Sequence, residues 1–325
     1  MNKNKIFSIS SEEQFKATTL EIFKFQFDNN PVYQKFCNLL NTDPKLVREI
    51  DQIPFLPINF FKSETILSSA DKIQKTFTSS GTTGSNTSKH HVTDLNIYEE
   101  SFNKAFQEFY GNIEDYAVLA LLPSYLERDG SSLIYMADHL IKASKHPKSG
   151  FYLNNLEELK DNLIQLDRSG QKIILIGVSF ALLDLIENYK FNLKNVVVME
   201  TGGMKGRRKE MIREELHKIL AAGFGVKSIH SEYGMTELLS QAYSNGNGIF
   251  NCPPWMKILI RDPEDALSYL SQGKTGGINV IDLANINSCS FIATQDLGKI
   301  HKKDSVEILG RFDNSDIRGC NLMVL

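Results

Sequence analysis

The chain has 325 residues, 42% of them apolar and 23% charged, and a formal net charge of −3. That balance is normal for a soluble globular protein with a large buried core, built as one large domain or two ordinary ones. The slight acidity gives no general attraction to nucleic acid or anionic membrane, and no apolar run is long enough to span a bilayer.

The amino terminus, Met1-Asn2-Lys3-Asn4-Lys5, is basic but lacks the apolar stretch and cleavage site of a secretory signal. Ser10-Ser11-Glu12-Glu13 reads as a capping box opening a helix whose face carries Phe15, Leu20, Phe23 and Phe27. A second helix is expected over about 32–40, and the segment 51–61, with two prolines, reads as a turn-rich connector. Beyond residue 76, buried-strand patterns at 116–122, 172–178 and 195–199 alternate with amphipathic helices. The first helix, 131–143, sets Leu133, Ala137, Leu140 and Ile141 on one side. The others cover 180–189 and 207–222, the last turning Met211, Leu216 and Leu220 inward. This alternation implies an α/β fold with a mostly parallel sheet and helices on both faces. From Met256 the texture changes to short strands at 256–260, 277–283, 290–294 and 305–309, a smaller β-rich subdomain. The expected organisation is a single domain over 1–325, with a helical part (1–75), an α/β core (76–255) and a β-rich subdomain with a tail (256–325). Four cysteines (Cys37, Cys252, Cys289, Cys320) lack Cys-x-x-Cys spacing, so neither a zinc site nor a disulfide framework is indicated. A cytoplasmic protein with reduced thiols is expected.

The segment Thr78-Ser79-Ser80-Gly81-Thr82-Thr83-Gly84 contains only small or hydroxyl-bearing residues. It packs a core poorly, but its amides and hydroxyls suit a polyanion such as a nucleotide triphosphate. A solvated loop is the plainer alternative. It is not a Walker loop: Gly273-Lys274-Thr275 has the ending but lacks the earlier glycine. Three further segments follow strands, where α/β proteins bind ligands. Glu200-Thr201-Gly202-Gly203 lets the chain pass close to a flat ligand. Ser231-Glu232-Tyr233-Gly234-Met235-Thr236-Glu237 offers a ring for a base, a hydroxyl for a phosphate and a carboxylate for Mg²⁺. Gln295-Asp296-Leu297-Gly298 and Gly310-Arg311-Phe312-Asp313 bracket a short hairpin and offer an Asp and an Arg to a ribose. Taken singly, each is more often a turn or a surface salt bridge.

In this order, the segments resemble the motifs of the adenylate-forming superfamily of acyl-CoA synthetases, luciferases and peptide-synthetase adenylation domains. Residues 78–84 look like its phosphate loop, Gly202 and Gly203 like the glycine pair beside the adenine, and Tyr233-Gly234-Met235-Thr236-Glu237 like its Tyr-Gly-x-Thr-Glu motif. Asp296 resembles its ribose-binding Asp, and Arg311 with Asp313 its Gly-Arg-x-Asp segment. Met204-Lys205-Gly206-Arg207 after the glycine pair, Pro123-Ser124-Tyr125-Leu126-Glu127-Arg128 and Asp316-Ile317-Arg318-Gly319-Cys320-Asn321-Leu322 resemble one branch, the LuxE-type acyl-protein synthetases. Two departures from the superfamily stand out. Gly84 leads into Ser85-Asn86-Thr87-Ser88-Lys89 without the usual proline, and little chain follows Asp313, so the superfamily's lid domain is expected to be absent, as in the LuxE branch.

The resemblance implies ATP-dependent activation of a carboxylic acid, of fatty-acid type, and transfer of the acyl group to a protein thiol. ATP and Mg²⁺ are the implied cofactors. Ser79, Ser80, Thr82 and Thr83 would hold the β/γ-phosphates, Thr236 the α-phosphate and Glu237 the metal. Cys320, near the carboxyl end, would carry the acyl group, and an acyl-protein or acyl-CoA reductase is the implied partner. Phe180, Leu182 and Leu183, or the Met204 region, would line an acyl channel or serve as core. CoA or a carrier-protein thiol as acceptor is the alternative within the class, and a non-catalytic subunit of the same fold is another. A different class is offered by Gly177-Val178-Ser179-Phe180-Ala181, close to a hydrolase nucleophile elbow with His230 as its base. That reading leaves 78–84 and 233–237 without a role.

Overall fold

The computed structural model describes residues 3–79, 87–122, 130–153, 155–202, 208 and 211–311. In chain order its first elements are helices α1 (Glu12–Asn29) and α2 (Pro31–Leu39), strand β1 (Leu56–Pro57) and the short helix α3 (Phe60–Ser63). Strands β2 (Lys75–Thr78) and β3 (Lys89–Val92) precede helix α4 (Leu95–Tyr110). The alternating region runs β4 (Tyr116–Leu121), α5 (Ser132–Ser144), β5 (Gly150–Phe151), α6 (Leu156–Arg168), β6 (Lys172–Gly177), α7 (Ser179–Asn188), β7 (Val196–Glu200), α8 (Arg213–Phe224) and β8 (His230–Tyr233). Strands β9 (Ala242–Ser244), β10 (Ile249–Phe250), β11 (Met256–Arg261), β12 (Thr275–Asp282), β13 (Phe291–Ile300) and β14 (Val306–Arg311) follow. The chain divides into two units, one formed by Met1–Asp71 and Pro254–Leu325, the other by Lys72–Pro253. No described helix is long and apolar enough to cross a membrane.

In the Lys72–Pro253 unit the sheet order is β5-β4-β6-β7-β8-β9, with only β9 antiparallel to its neighbour. Every residue of β4 is buried, and all of β6 but Lys172, as expected of strands covered on both faces. The step from β4 to β5 runs opposite to those from β5 to β6, β7 and β8. Right-handed crossovers therefore set α5 on one face and α6, α7 and α8 on the other. The reversal lies between β4 and β6, and the carboxyl ends around such a point are where α/β sheets take ligands. Leu182 and Leu183, considered for an acyl channel, are core: Leu182 packs so closely over Gly177 that a Cβ there would lie 2.8 Å from its Cδ2.

In the other unit β11, β12, β13 and β14 form an antiparallel meander, and β1 joins β13 in parallel at Leu56 and Ile292. Burial along β11 alternates residue by residue, as in a sheet with one covered face. Phe23, Tyr33, Phe55 and Phe291 make an aromatic cluster, with Tyr33 stacked on Phe291 at 6.0 Å. Gln26 fastens α1 to the turn before β13. Its amide nitrogen donates to the carbonyls of Asn285 (3.0 Å) and Ile286 (2.9 Å), and its oxygen accepts from the Ser290 amide (2.9 Å).

Several local expectations shift. The first helix is capped one residue later than Ser10: Ser11 accepts from the Gln14 amide, and Gln14 in turn accepts from the Ser10 amide. Its buried face is Phe15, Thr18, Thr19, Ile22, Phe23 and Gln26; Leu20 and Phe27 are half-buried at the edges of that stripe, the Phe27 ring 6.4 Å from that of Phe23. Helix α8 starts at Arg213, not 207, so Met211 precedes it; Leu216 and Leu220 do face inward. In α5, Met136 joins Ala137 and Leu140 in the core, while Leu133 and Ile141 are half-buried. Helices α4 and α6 were not expected.

Candidate active site

Strands β2 and β3 are a hairpin whose last pair is Thr78 and Lys89. Its open end is drawn shut by the Ser79 amide donating to the Ser88 carbonyl (3.1 Å) and the Ser88 amide donating to Ser79 Oγ (2.9 Å). The Thr78 amide donates to the Gly130 carbonyl (2.8 Å), and Gly130, at φ +100°, lies so near Thr78 that a Cβ would stand 2.8 Å from its hydroxyl. Thr78 and Ser79 are therefore fixed in place. Two residues past Ser88, His90 is fully buried and its Nδ1 lies 2.8 Å from the Thr236 carbonyl. A carbonyl only accepts, so this ring nitrogen carries the proton. Next to it His91 shares a bond with Thr76 (2.8 Å); burial, then the charge of Lys89, hold its pKa below the ordinary value.

At the carboxyl end of β7, Glu200 is 5% exposed and surrounded by donors. Its Oε1 accepts from Ser179 Oγ (2.6 Å) and the Gly202 amide (2.6 Å), while Oε2 faces Ser231 Oγ (3.4 Å) and His217 Nε2 (3.7 Å). Burial pushes this carboxyl up, but the bonds from His217 and Ser179 and the charge of Arg213 outweigh it and hold the pKa below the ordinary value. Gly202 turns the chain at φ +76°, a conformation that favours glycine, and a Cβ there would meet nothing within 4 Å. The loop is also stitched by main chain: the Ser179 amide donates to Gly202 (2.8 Å) and the Thr201 amide to Gly177 (3.1 Å).

On β8, Glu232 lies over Gly234, where an added Cβ would fall 2.3 Å from its Oε1 and 3.2 Å from Gln241 Cγ. A side chain at this position would require the Glu232 carboxyl to move aside. Burial, then the neighbouring Glu200 charge, push the Glu232 carboxyl up to about 8. The ring of Tyr233 stands edge-on to Phe250 at 6.2 Å, and Glu237 is 5% exposed.

Within the other unit, Asp296 and Arg311 are register partners of β13 and β14, and Arg311 Nε donates to Asp296 Oδ1 (3.3 Å). The Asp296 amide donates to Thr294 Oγ1 (3.1 Å), and Thr294 is itself held by Arg261, which donates to its carbonyl (2.6 Å) and to that of Ile278 (2.6 Å). Gly277 leaves room for that guanidinium, since a Cβ would lie 2.5 Å from its Cζ.

Comparison with known proteins bears directly on this arrangement. The family model "Acyl-protein synthetase, LuxE" matches residues 3–118 and 131–325. The chain belongs to the LuxE family. It is thus an enzyme of the ligase type, the family's description being that of a synthetase. Two LuxE-like relatives are both named long-chain-fatty-acid–luciferin-component ligase. The one from Vibrio harveyi is 23% identical over 96% of this chain and 88% of its own; the one from Aliivibrio fischeri is 23% identical over 99% and 91%. Among solved structures, 2-hydroxyisobutyryl-CoA ligase in complex with 2-HIB-AMP is similar at a TM-score of 0.68, with 10% identity over 93% of this chain and 68% of that one. ATP-bound MatB from Rhodopseudomonas palustris gives 0.56 and 20% over 75% of this chain, which spans only 49% of its length. These likenesses show the fold, that of the adenylate-forming enzymes.

For this LuxE-family chain, the structure brings Thr78 and Ser79 into one hydrogen-bonded framework with Thr236, ties Gly202 to Ser231 through Glu200, and pairs Asp296 with Arg311. Ser80, Gly81, Thr82, Thr83, Gly84, Gly203 and Cys320 lie outside the described residues, as do most of the segment around Met204 and the whole of 123–129. The hydrolase alternative does not assemble. Ser179 is 1% exposed and its hydroxyl is given to Glu200, while His230 faces the Tyr110 hydroxyl at 3.3 Å. His217 presents the same Nε2 to both Ser231 and Glu200, so it does not relay between an acid and a serine as a triad histidine does. Sequence reasoning assigned no role to His90, His217 or Arg261; a histidine pair on a short hairpin carries no local signal of the carbonyl it reaches.

Proposed function

We propose that this enzyme activates a carboxylic acid of fatty-acid type with ATP and then transfers the acyl group to a protein thiol. A carboxylate oxygen attacks the α-phosphorus, the α–β phosphoanhydride bond breaks, and pyrophosphate leaves. A thiolate then attacks the acyl carbon of the adenylate, forming a thioester and releasing AMP. The observation that carries this reading is the His90–Thr236 hydrogen bond, which joins the Tyr-Gly-Met-Thr-Glu motif to the base of the hydroxyl-rich segment in a LuxE-family chain.

The roles follow the family pattern. Thr78 and Ser79, with Ser80, Gly81, Thr82, Thr83 and Gly84, are proposed to cradle the β/γ-phosphates, and Thr236 to meet the α-phosphate. Catalysis by such a site is mainly positioning and charge neutralisation. Gly202 and Gly203 offer a side-chain-free edge to the adenine, Tyr233 and Gly234 its neighbouring wall, and Asp296 and Arg311 are proposed to meet the ribose. Among the described residues no group of three or more His, Cys, Asp or Glu is placed to hold a metal. Glu237 is proposed to hold Mg²⁺, an ion that keeps several waters and substrate phosphates and is bound through one or two carboxylates. When bound it would neutralise phosphate charge.

Cys320 is proposed as the acyl carrier. Burial pushes the thiols of Cys37 and Cys289 up to about 12, so neither supplies thiolate at neutral pH. The acyl group would pass on to a reductase partner, and the chain would work in the cytoplasm.

The test combines ATP, Mg²⁺ and radiolabelled fatty acids with wild type and Cys320→Ser. Acid-dependent ATP–pyrophosphate exchange is expected in both proteins, and hydroxylamine-sensitive label in wild type alone. Exchange without label would assign the acceptor to CoA or a carrier protein; no exchange would refute the activation step.

A further inference from the structure

Ser79 and Ser88 close the hairpin end with two reciprocal bonds, and the strand leaving Ser88 buries His90 completely. From there its Nδ1 reaches the Thr236 carbonyl, 146 residues on in sequence, at 2.8 Å. The two segments are thereby referenced to each other by one directional bond from a side chain with no exposure to water. We propose that His90 is a positioning residue, setting Thr236 relative to the Ser79–Ser88 closure so that the groups meeting the triphosphate hold one geometry. This rests on the activation reading above and deepens it. His90 does not touch substrate; it acts through the backbone of Thr236. The chemistry requires a donor at the Nδ1 position, two bonds beyond Cβ, and that requirement distinguishes positioning from space-filling. Asparagine places its amide nitrogen there; glutamine places it one bond too far, and leucine fills the volume without a donor.

The test uses the full chain with His90→Asn, His90→Gln and His90→Leu. For acid-dependent ATP–pyrophosphate exchange, the Leu and Gln variants are expected to lose about 30-fold or more in kcat. A misplacement of about 1 Å costs on the order of 100-fold in such sites. Their Kd for ATP should stay within about threefold, and Asn should recover at least a third of the wild-type rate. A second readout needs no turnover: amide hydrogen exchange across 235–239, expected to be at least about tenfold faster in the Leu and Gln variants and close to wild type in Asn. Unchanged exchange in His90→Leu, or an Asn variant as impaired as Leu, would overturn the proposal. If wild type itself gave no acid-dependent pyrophosphate exchange, the activation reading would fail, while the hydrogen-exchange arm would still decide whether His90 holds Thr236.

Discussion

Glu200 and Glu232 sit at the carboxyl ends of adjacent parallel strands and meet opposite surroundings. Glu200 receives Ser179, the Gly202 amide, Ser231 and His217, and stays ionised despite its burial. Glu232 has the charge of Glu200 nearby and is desolvated, so it holds its proton to about pH 8. The folded state therefore binds this proton more tightly than the unfolded chain, where an ordinary glutamate titrates near 4.3. Below about pH 4.3 both states are protonated and the site is neutral in its effect. As pH rises from there to about 8, the unfolded chain releases the proton first, so stability declines across that window and levels off above it. Glu232→Gln removes the titration while keeping the shape. Its stability relative to wild type should rise steadily from pH 5 to pH 8, as read by urea unfolding at fixed ionic strength. A gap that stays constant with pH would mean that Glu232 is already ionised in the folded protein.

At the scale of elements, the parallel core was legible because its strands are continuous apolar runs: the expected strand at 172–178 is β6, Lys172–Gly177, within one residue. Helices α4 and α6 had readable starts, with Asp94 accepting from the Asn96 amide and Asn155 from the Glu158 amide. The buried stripe of α6, Leu159, Asn162, Leu163 and Leu166, keeps the same three-and-four spacing and was equally readable. The short strand expected at 290–294 is longer: β13 runs from Phe291 on through Asp296 to Ile300. Of the candidate site, motif order was visible, while the His90 bond and the Glu200 cluster were not, since both join segments far apart in sequence. Helix contacts hide similarly. Gly223 in α8 lies against Ile186 of α7, where a Cβ would stand 2.6 Å from its Cδ1 and 2.7 Å from its Cβ. Alanine favours a helix by about 1 kcal/mol over glycine, but overpacking costs about 1–3 kcal/mol. Gly223→Ala should therefore lower Tm by a few degrees. Combined with Ile186→Ala it should cost less than the sum of the two single changes, because the second removes the Cδ1 and Cγ2 part of the obstruction and leaves a smaller residue to shift. Strict additivity in a thermal-melt double-mutant cycle would mean that the two helices do not meet there.

For the whole molecule, the two units differ in how the chain supplies them. Lys72–Pro253 is continuous and contains all of its parallel sheet, the crossover helices that cover both faces, and its own buried strands β4 and β6. The other unit is assembled from both ends of the chain. Its meander contributes Phe291, but the rings around it, Phe23, Tyr33 and Phe55, belong to the first 71 residues. Gln26 completes the dependence by pairing the Asn285 and Ile286 carbonyls and the Ser290 amide, buried groups that would cost about 1–3 kcal/mol each if left unpaired. A fragment of residues 72–253 should consequently fold alone, with mixed helix and strand circular dichroism and a cooperative urea transition. A fragment of 254–325 should remain unfolded, because a sheet with one face uncovered cannot offset its conformational entropy. Adding a 1–71 peptide in trans should restore dispersed amide resonances to it. Cooperative folding of 254–325 without that peptide would show that its aromatic cluster is not needed, and failure of 72–253 to fold would show that the parallel sheet depends on the rest of the chain.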